Sequence, residues 1–195
     1  PKVVEVIKEK RPKGLPEFPH PTNCPVCNTH LEKPEGEVAY YCPNTACPAQ
    51  VQGRIEHFVQ RDAMEIEGLG FQIIEIFIGK GFISNYADIY DLHKRKKELL
   101  ELERFGEKSI TNILNGIEQS KEKPFDKVLF ALGVRHIGER TAKILAKHFG
   151  SIDKLMNATQ EEINEVHDIG PKISESVAKF FSDKHNVIFV ERLRQ

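Results

Sequence analysis

Four glycines set the frame of this chain. Gly70, Gly106, Gly138 and Gly170 recur at intervals of 36, 32 and 32 residues, and a recurrence of that length signals one supersecondary unit used several times. The surrounding residues keep the same register. Each glycine has an apolar residue directly before it and another four positions before it: Ile66 and Leu69, Leu102 and Phe105, Val134 and Ile137, Val166 and Ile169. The seventh residue after each glycine is again apolar (Phe77, Ile113, Leu145, Val177), as is the eighth (Ile78, Leu114, Ala146, Ala178). A short helix, a tight apolar turn and a second helix starting near the glycine satisfy this pattern. It predicts four hairpins, near residues 66–70, 102–106, 134–138 and 166–170.

That geometry carries a chemistry. The first amides of a helix have no partner within it, and the helix dipole adds partial positive charge to them. A phosphate oxygen can accept from these amides, and glycine leaves room for a sugar–phosphate strand to approach. Two positions after the glycine stand Lys108, Arg140 and Lys172, with Gln72 as a neutral substitute in the first copy. Arg104, Arg135 and His136 fall within the turns, as does Gly68, whereas Asp168 brings a negative charge to the fourth. The candidate DNA-binding residues are therefore Gly68, Gly70, Arg104, Gly106, Lys108, Arg135, His136, Gly138, Arg140, Gly170 and Lys172. A single such corner would read as an ordinary glycine-capped helix end; four in register favour phosphate binding. Contacts of this kind read the DNA backbone without regard to sequence and depend on salt. Two hairpins at a fixed distance could clamp both strands of a duplex. No exposed aromatic platform for single-stranded bases is legible, because the aromatics fall at helix-core spacing.

Upstream lie four cysteines spaced Cys24-x2-Cys27 and Cys42-x4-Cys47, with fourteen residues between the pairs. Two close thiolate pairs around a short β-type loop can enclose one tetrahedral zinc ion, and an all-cysteine set closes the site to catalysis. Val38-Ala39-Tyr40-Tyr41 is expected to be a strand leading into the second pair. A redox dithiol at Cys24-Pro25-Val26-Cys27 would leave the second pair unexplained, and disulfides lack a secretory context. His20 and His30 flank the module and are read as surface residues.

The 195 residues, 39% hydrophobic and 29% charged, suit a folded soluble protein with one or two domains. No apolar run is long enough to cross a membrane. The formal net charge of −1 argues against a polycation that coats nucleic acid through bulk charge. The chain starts with Pro1 rather than Met, which leads us to expect a piece of something longer. Val3–Ile7 is expected to be the last strand of a preceding domain, followed by a proline-rich linker. The expected organisation is strand end and linker over 1–21, a four-cysteine zinc finger over 22–52, and a helix–hairpin–helix domain over 53–195. The fold class is mainly α, with roughly ten short helices. Thr159 with Glu162 reads as a capping box, Ser84 and Ser151 as N-caps, Pro124 as a first-turn residue and Gly133 as the stop of the helix that follows it. The run His93–Lys97 reads as a solvated segment. No catalytic constellation is legible: there is no phosphate-binding P-loop and no nucleophile elbow.

In this order, the pieces resemble the C-terminal half of bacterial NAD-dependent DNA ligase. The carrying stretches are Cys24–Cys27 (CPVC), Asn44–Gln50 (NTACPAQ), His57-Phe58-Val59, Met64–Gly70 (MEIEGLG) and Ala131–Gly138 (ALGVRHIG). The resemblance implies structural zinc on Cys24, Cys27, Cys42 and Cys47, and phosphate-gripping turns at the four glycine hairpins. It implies a monomeric part of a bacterial cytoplasmic, nucleoid-associated enzyme that seals nicks in duplex DNA during replication and repair. That enzyme uses NAD to adenylate a lysine in a Lys-x-Asp-Gly motif, and no Asp-Gly pair occurs here. The fragment is thus expected to bind neither NAD nor to ligate, but to help encircle nicked DNA beside the adenylation and OB-fold domains of its parent chain. The competing readings are a glycosylase or nuclease accessory domain, which would need a catalytic lysine inside a hairpin, and a protein-interaction scaffold.

Overall fold

The computed structural model describes residues 4, 5, 7–16 and 18–194. Its chain separates into two compact units, Pro1–Cys47 and Pro48–Gln195, divided at the residue where the first α-helix begins.

The first unit is held by turns rather than by regular elements. Its pairing among the described residues is two isolated antiparallel bridges, Asn23 with His30 and Glu32 with Tyr41. Residues 38–41 therefore do not form the expected strand. Tyr41 alone is paired, through two 2.8 Å bonds with Glu32, and Val38 is almost fully exposed. The cause is a lack of apolar surface to pack a strand against: among the described residues of this unit, Cys24 and Cys47 are the buried ones. Of the expected strand at 3–7, Val4, Glu5 and Ile7 carry no strand, and Val3 and Val6 lie outside the described residues.

The second unit is helical, with no strand among the described residues. Its α-helices are α1 (Pro48–Val59), α2 (Phe71–Gly79), α3 (Lys96–Leu100), α4 (Glu107–Ser120), α5 (Phe125–Ala131), α6 (Glu139–Phe149), α7 (Ile152–Asn157), α8 (Gln160–Asn164), α9 (Pro171–Ser182) and α10 (Lys184–Leu193), with a 3-10 helix at Tyr86–Arg95. Helices α1 and α2, α3 and α4, α5 and α6, and α8 and α9 pack pairwise, giving four hairpins. One continuous core runs from Ile55 to Val190. The residue seven after each frame glycine is its anchor: Phe77, Ile113, Leu145 and Val177 are all buried, because seven positions bring a helical residue round to the face that meets its partner helix.

Local signals behave as their chemistry dictates, with two displacements. Thr159 and Glu162 form the reciprocal capping box and Ser151 caps α7. Gly133, at φ +68°, follows α5 in the left-handed conformation that glycine tolerates, and Pro124 is the N-cap of α5, one position ahead of the first-turn place expected of it. Ser84, however, is not a cap. Asn85 takes that role, its side chain accepting from Ala87 and Asp88, while the Ser84 amide and hydroxyl both donate to the Asp88 carboxylate at 2.7 Å. His57 ties the first hairpin to the third. Its Nε2 donates to the Phe130 carbonyl at 2.8 Å, which fixes the tautomer and leaves Nδ1 to accept from Gln60.

Candidate nucleic-acid interface and candidate metal centre

The four hairpin turns are built alike. In each, the apolar residue just before the glycine donates its amide to the carbonyl of the apolar residue three positions earlier: Leu69 to Ile66 at 3.4 Å, Phe105 to Leu102 at 3.2 Å, Ile137 to Val134 at 3.1 Å, Ile169 to Val166 at 3.0 Å. The residue two before each glycine has positive φ, namely Gly68 at 86°, Arg104 at 72°, His136 at 66° and Asp168 at 67°. Positive φ at the third turn residue is what turns the chain sharply enough for the next helix to start at once. The sequence places these residues in the turns but carries no signal that three non-glycine residues adopt this conformation.

The frame glycines themselves are extended, with φ between −77° and −104°, which any residue tolerates. A Cβ on any of the four would meet nothing within 4 Å. Neither backbone conformation nor packing inside the protein requires glycine there; the space beyond each one is open. Each glycine is the N-cap of the helix that follows, and no side chain caps that helix. The first internal amide bonds to the glycine carbonyls come from Ile73, Ile110, Ala142 and Ile173. The amides before them lie in the exposed first turns of α2, α4, α6 and α9, save Pro171, which has none. Uncapped, exposed amides at the positive end of a helix suit a phosphate oxygen.

The candidate side chains fall at these turns, but in different states. Arg104, Lys108 and Lys172 are exposed and form no ion pair among the described residues. Arg140 is 85% exposed and pairs with Asp168 of the next hairpin at 3.0 Å. Arg135 and His136 are exposed on the third turn. Hairpin 1 differs again: its second helix opens with Phe71, 58% exposed, so one aromatic ring does stand at a turn, where helix-core spacing gave no sign of it.

Two acids, Glu107 and Glu139, are the first residues of α4 and α6. Each pairs with a lysine of its own hairpin's first helix, Lys96 with Glu107 at 3.4 Å and Lys127 with Glu139 at 2.8 Å. Lys127 also donates to the Asp62 carbonyl. Its bond and charge hold the Glu139 carboxyl below its usual range and raise its own ammonium. These lysines precede their acids by eleven and twelve residues, a spacing with no sequence signature.

In the first unit, the sulfur atoms of Cys24, Cys27, Cys42 and Cys47 all lie within 4.8 Å of one another. Cys24 and Cys47 are 3.9 Å apart and Cys27 and Cys42 3.5 Å. A tetrahedral zinc with Zn–S bonds of about 2.3 Å places its sulfurs about 3.8 Å apart, so the four thiols fit the ion. The turns that aim them are local. The Cys24 amide donates to the Thr29 carbonyl and the Asn28 amide to the Cys24 carbonyl, with Asn28 at positive φ. The Cys47 amide donates to the Asn44 carbonyl, and the Asn44 side chain accepts from Ala46. Without metal the thiols ionise unequally: hydrogen bonds with the Thr29 hydroxyl and amide lower Cys27 to about 6, while desolvation pushes Cys42 up to about 12. A divalent cation would draw all four to thiolates.

Comparison with known proteins agrees with both halves. Residues 23–49 match the family of the NAD-dependent DNA ligase C4 zinc finger domain, and residues 127–190, which hold hairpins 3 and 4, match the helix-hairpin-helix motif. Over 194 residues and 100% of this chain it is 46% identical to a DNA ligase of Acetivibrio thermocellus. Over 196 residues it is 47% identical to a DNA ligase of Christiangramia forsetii and 46% identical to one of Chlorobium phaeovibrioides. The chain spans 29% of the length of these curated relatives. Along its whole length the chain is similar to DNA ligases, and its cysteine segment matches the C4 zinc finger domain of the NAD-dependent kind.

Proposed function

We propose that this chain is a DNA-gripping part of an NAD-dependent DNA ligase. It holds duplex DNA, nicked during replication or repair, through the phosphate backbone, and leaves the chemistry of sealing to other parts of the parent enzyme. The observation that carries the reading is the fourfold recurrence of an uncapped, exposed helix N-terminus behind a glycine with open space beyond it. The proposed contacts are those amides at Gly70, Gly106, Gly138 and Gly170, the turn residues Gly68, Arg104, Arg135 and His136, and the cations Lys108, Arg140 and Lys172. Hairpins 2 to 4 supply the charge. Hairpin 1, with Gln72 and Phe71, supplies amides alone. Zinc on the four cysteines supplies folding energy to a segment with little core. No helix among the described residues is long and apolar enough to cross a membrane, and the proposed place of work is the bacterial cytoplasm, on the nucleoid, as a monomer.

The test is a gel shift with nicked and intact duplexes of mixed sequence across a salt series. Binding indifferent to sequence, with log affinity falling linearly against log salt, is expected. Lys108→Glu and Arg140→Glu should each weaken it and flatten the slope. Unchanged binding in both variants would remove the assignment of the turns, and retention indifferent to salt would favour a protein-interaction scaffold.

A further inference from the structure

We infer that Asp168 is a resident counter-anion for Arg140: its carboxylate holds the guanidinium in the place of a phosphate, and DNA must displace it. The inference rests on the DNA-binding reading above and adds a residue that sets how tightly the third hairpin grips.

Arg140 lies two residues after its frame glycine, in the first turn of α6. Asp168 lies two residues before the next frame glycine, at the left-handed position of hairpin 4. The pair spans 28 residues of sequence, with Arg140 Nη2 3.0 Å from Asp168 Oδ2. The other carboxylate oxygen lies 3.3 Å from Nδ1 of His167, itself almost fully exposed. Turns 3 and 4 therefore meet through this contact, and the cation proposed for one turn is held by the anion of the other. The equivalent turn positions carry Gly68, Arg104 and His136, so hairpin 4 is the copy that brings an anion.

The conformation of the turn does not require that charge. Asparagine adopts positive φ at least as readily as aspartate, so Asn at 168 would keep the turn and delete the anion. Both side chains are accessible to solvent, 85% for Arg140 and 44% for Asp168, and an exposed ion pair is weak enough for a phosphate to replace it. The exchange has a salt signature. Salt screens the Arg140–Asp168 attraction, so the competing carboxylate costs DNA binding most at low salt.

The experiment uses the full chain, a fluorescent nicked duplex and a potassium chloride series, with Asp168→Asn, Arg140→Gln and the double variant; circular dichroism checks that each remains folded. Asp168→Asn should tighten binding about two- to fivefold, with the largest gain at low salt. In the Arg140→Gln background the same change should gain almost nothing. Equal gain in both backgrounds would show that Asp168 acts only as a general repulsive charge and would overturn the pairing, as would no gain in the native background. The Arg140→Gln arm separates the two levels: if that variant alone binds as tightly as the native chain, the phosphate contact of hairpin 3 is wrong, whatever Asp168 does.

Discussion

The carbonyl oxygen of Glu67 lies 2.8 Å from the point where a Cβ on Gly116 would stand, and the Glu67 amide lies 3.1 Å from it. Turn 1 is thus laid on helix α4, the second helix of hairpin 2, with backbone against backbone. Gly68 completes the contact from the other side, since a Cβ there would meet Cγ1 of Ile113 at 2.9 Å. Hairpins 1 and 2 are locked by the absence of two side chains.

Gly116→Ala is therefore expected to destabilise the helical unit, although glycine to alanine inside a helix usually gains about 1 kcal/mol. The obstruction is backbone, which cannot rotate away, and overpacking of this kind costs about 1–3 kcal/mol. Gly53→Ala in α1 is the control, because its Cβ would meet nothing within 4 Å; it should stabilise. Urea unfolding followed by circular dichroism should give opposite signs, and a stabilised Gly116→Ala would remove the close contact.

The acid limb of stability should depend on Asp88. Burial alone would raise its carboxyl; the Ser84 amide and hydroxyl and the Arg192 guanidinium outweigh burial and hold it below its ordinary range. Arg192 reaches from α10 to Asp88 at 2.7 Å and to Asp91 at 2.8 Å, fastening the last helix to the 3-10 segment. A carboxyl depressed in the folded state contributes stability that is fully present above its unfolded value, about 3.9, and is lost as pH falls through the folded value. Asp88→Asn should cost roughly 1–3 kcal/mol at neutral pH and flatten the fall of Tm below pH 4. An unchanged acid slope would assign the loss to other carboxylates.

Much of the helical frame was legible because hairpins are local. Ile137 and Val134, or Ile169 and Val166, close a turn three residues apart, and Leu145 and Val177 bury themselves seven residues on. What could not be read is what crosses between hairpins. The spacing that joins Lys127 to Glu139 has no period, and Arg140 meets Asp168 only because two turns converge. The displaced cap at Asn85 shows a smaller failure: Ser84 and Asn85 are both good N-caps, and Asp88 decided between them by occupying the Ser84 amide and hydroxyl. The strand expected at 38–41 failed because β-prone residues such as Val38 and Tyr40 had no sheet or apolar layer beside them. The four cysteines were legible as a cluster from spacing alone, while the thiol inequality came from the hydroxyl and amide of Thr29 beside Cys27 and from desolvation at Cys42.

Tyr86 offers a substitution of unusual sign. Its ring is buried, stacked on Phe58 at 4.9 Å and edge-on to Phe189 at 5.7 Å, and its hydroxyl is buried without a hydrogen-bond partner among the described residues. Burial pushes that hydroxyl up to about 12. Tyr86→Phe keeps the ring contacts and deletes an unsatisfied polar atom, whose burial costs about 1–3 kcal/mol, so it should raise Tm. Tyr90→Phe should lower it, because the Tyr90 hydroxyl bonds Ser120 Oγ at 3.0 Å. A loss at both positions would reveal a partner for Tyr86.

Metal removal should act on one unit alone. Among its described residues the first unit has two that are buried, both of them zinc-ligand candidates, and one helical element, the 3-10 turn Lys8–Lys10. Without metal nothing else there offsets the entropy of ordering the chain, whereas the helical unit keeps its own core. The native chain should carry one zinc by elemental analysis, and Cys42→Ser should carry none. A strong chelator should then make residues 22–47 sensitive to protease while the helical circular dichroism signal persists. Structural zinc in isolated fingers contributes about 10–16 kcal/mol, so the loss should be complete rather than graded. Collapse of the helical signal on chelation would show instead that the core from Ile55 to Val190 does not stand without the metal.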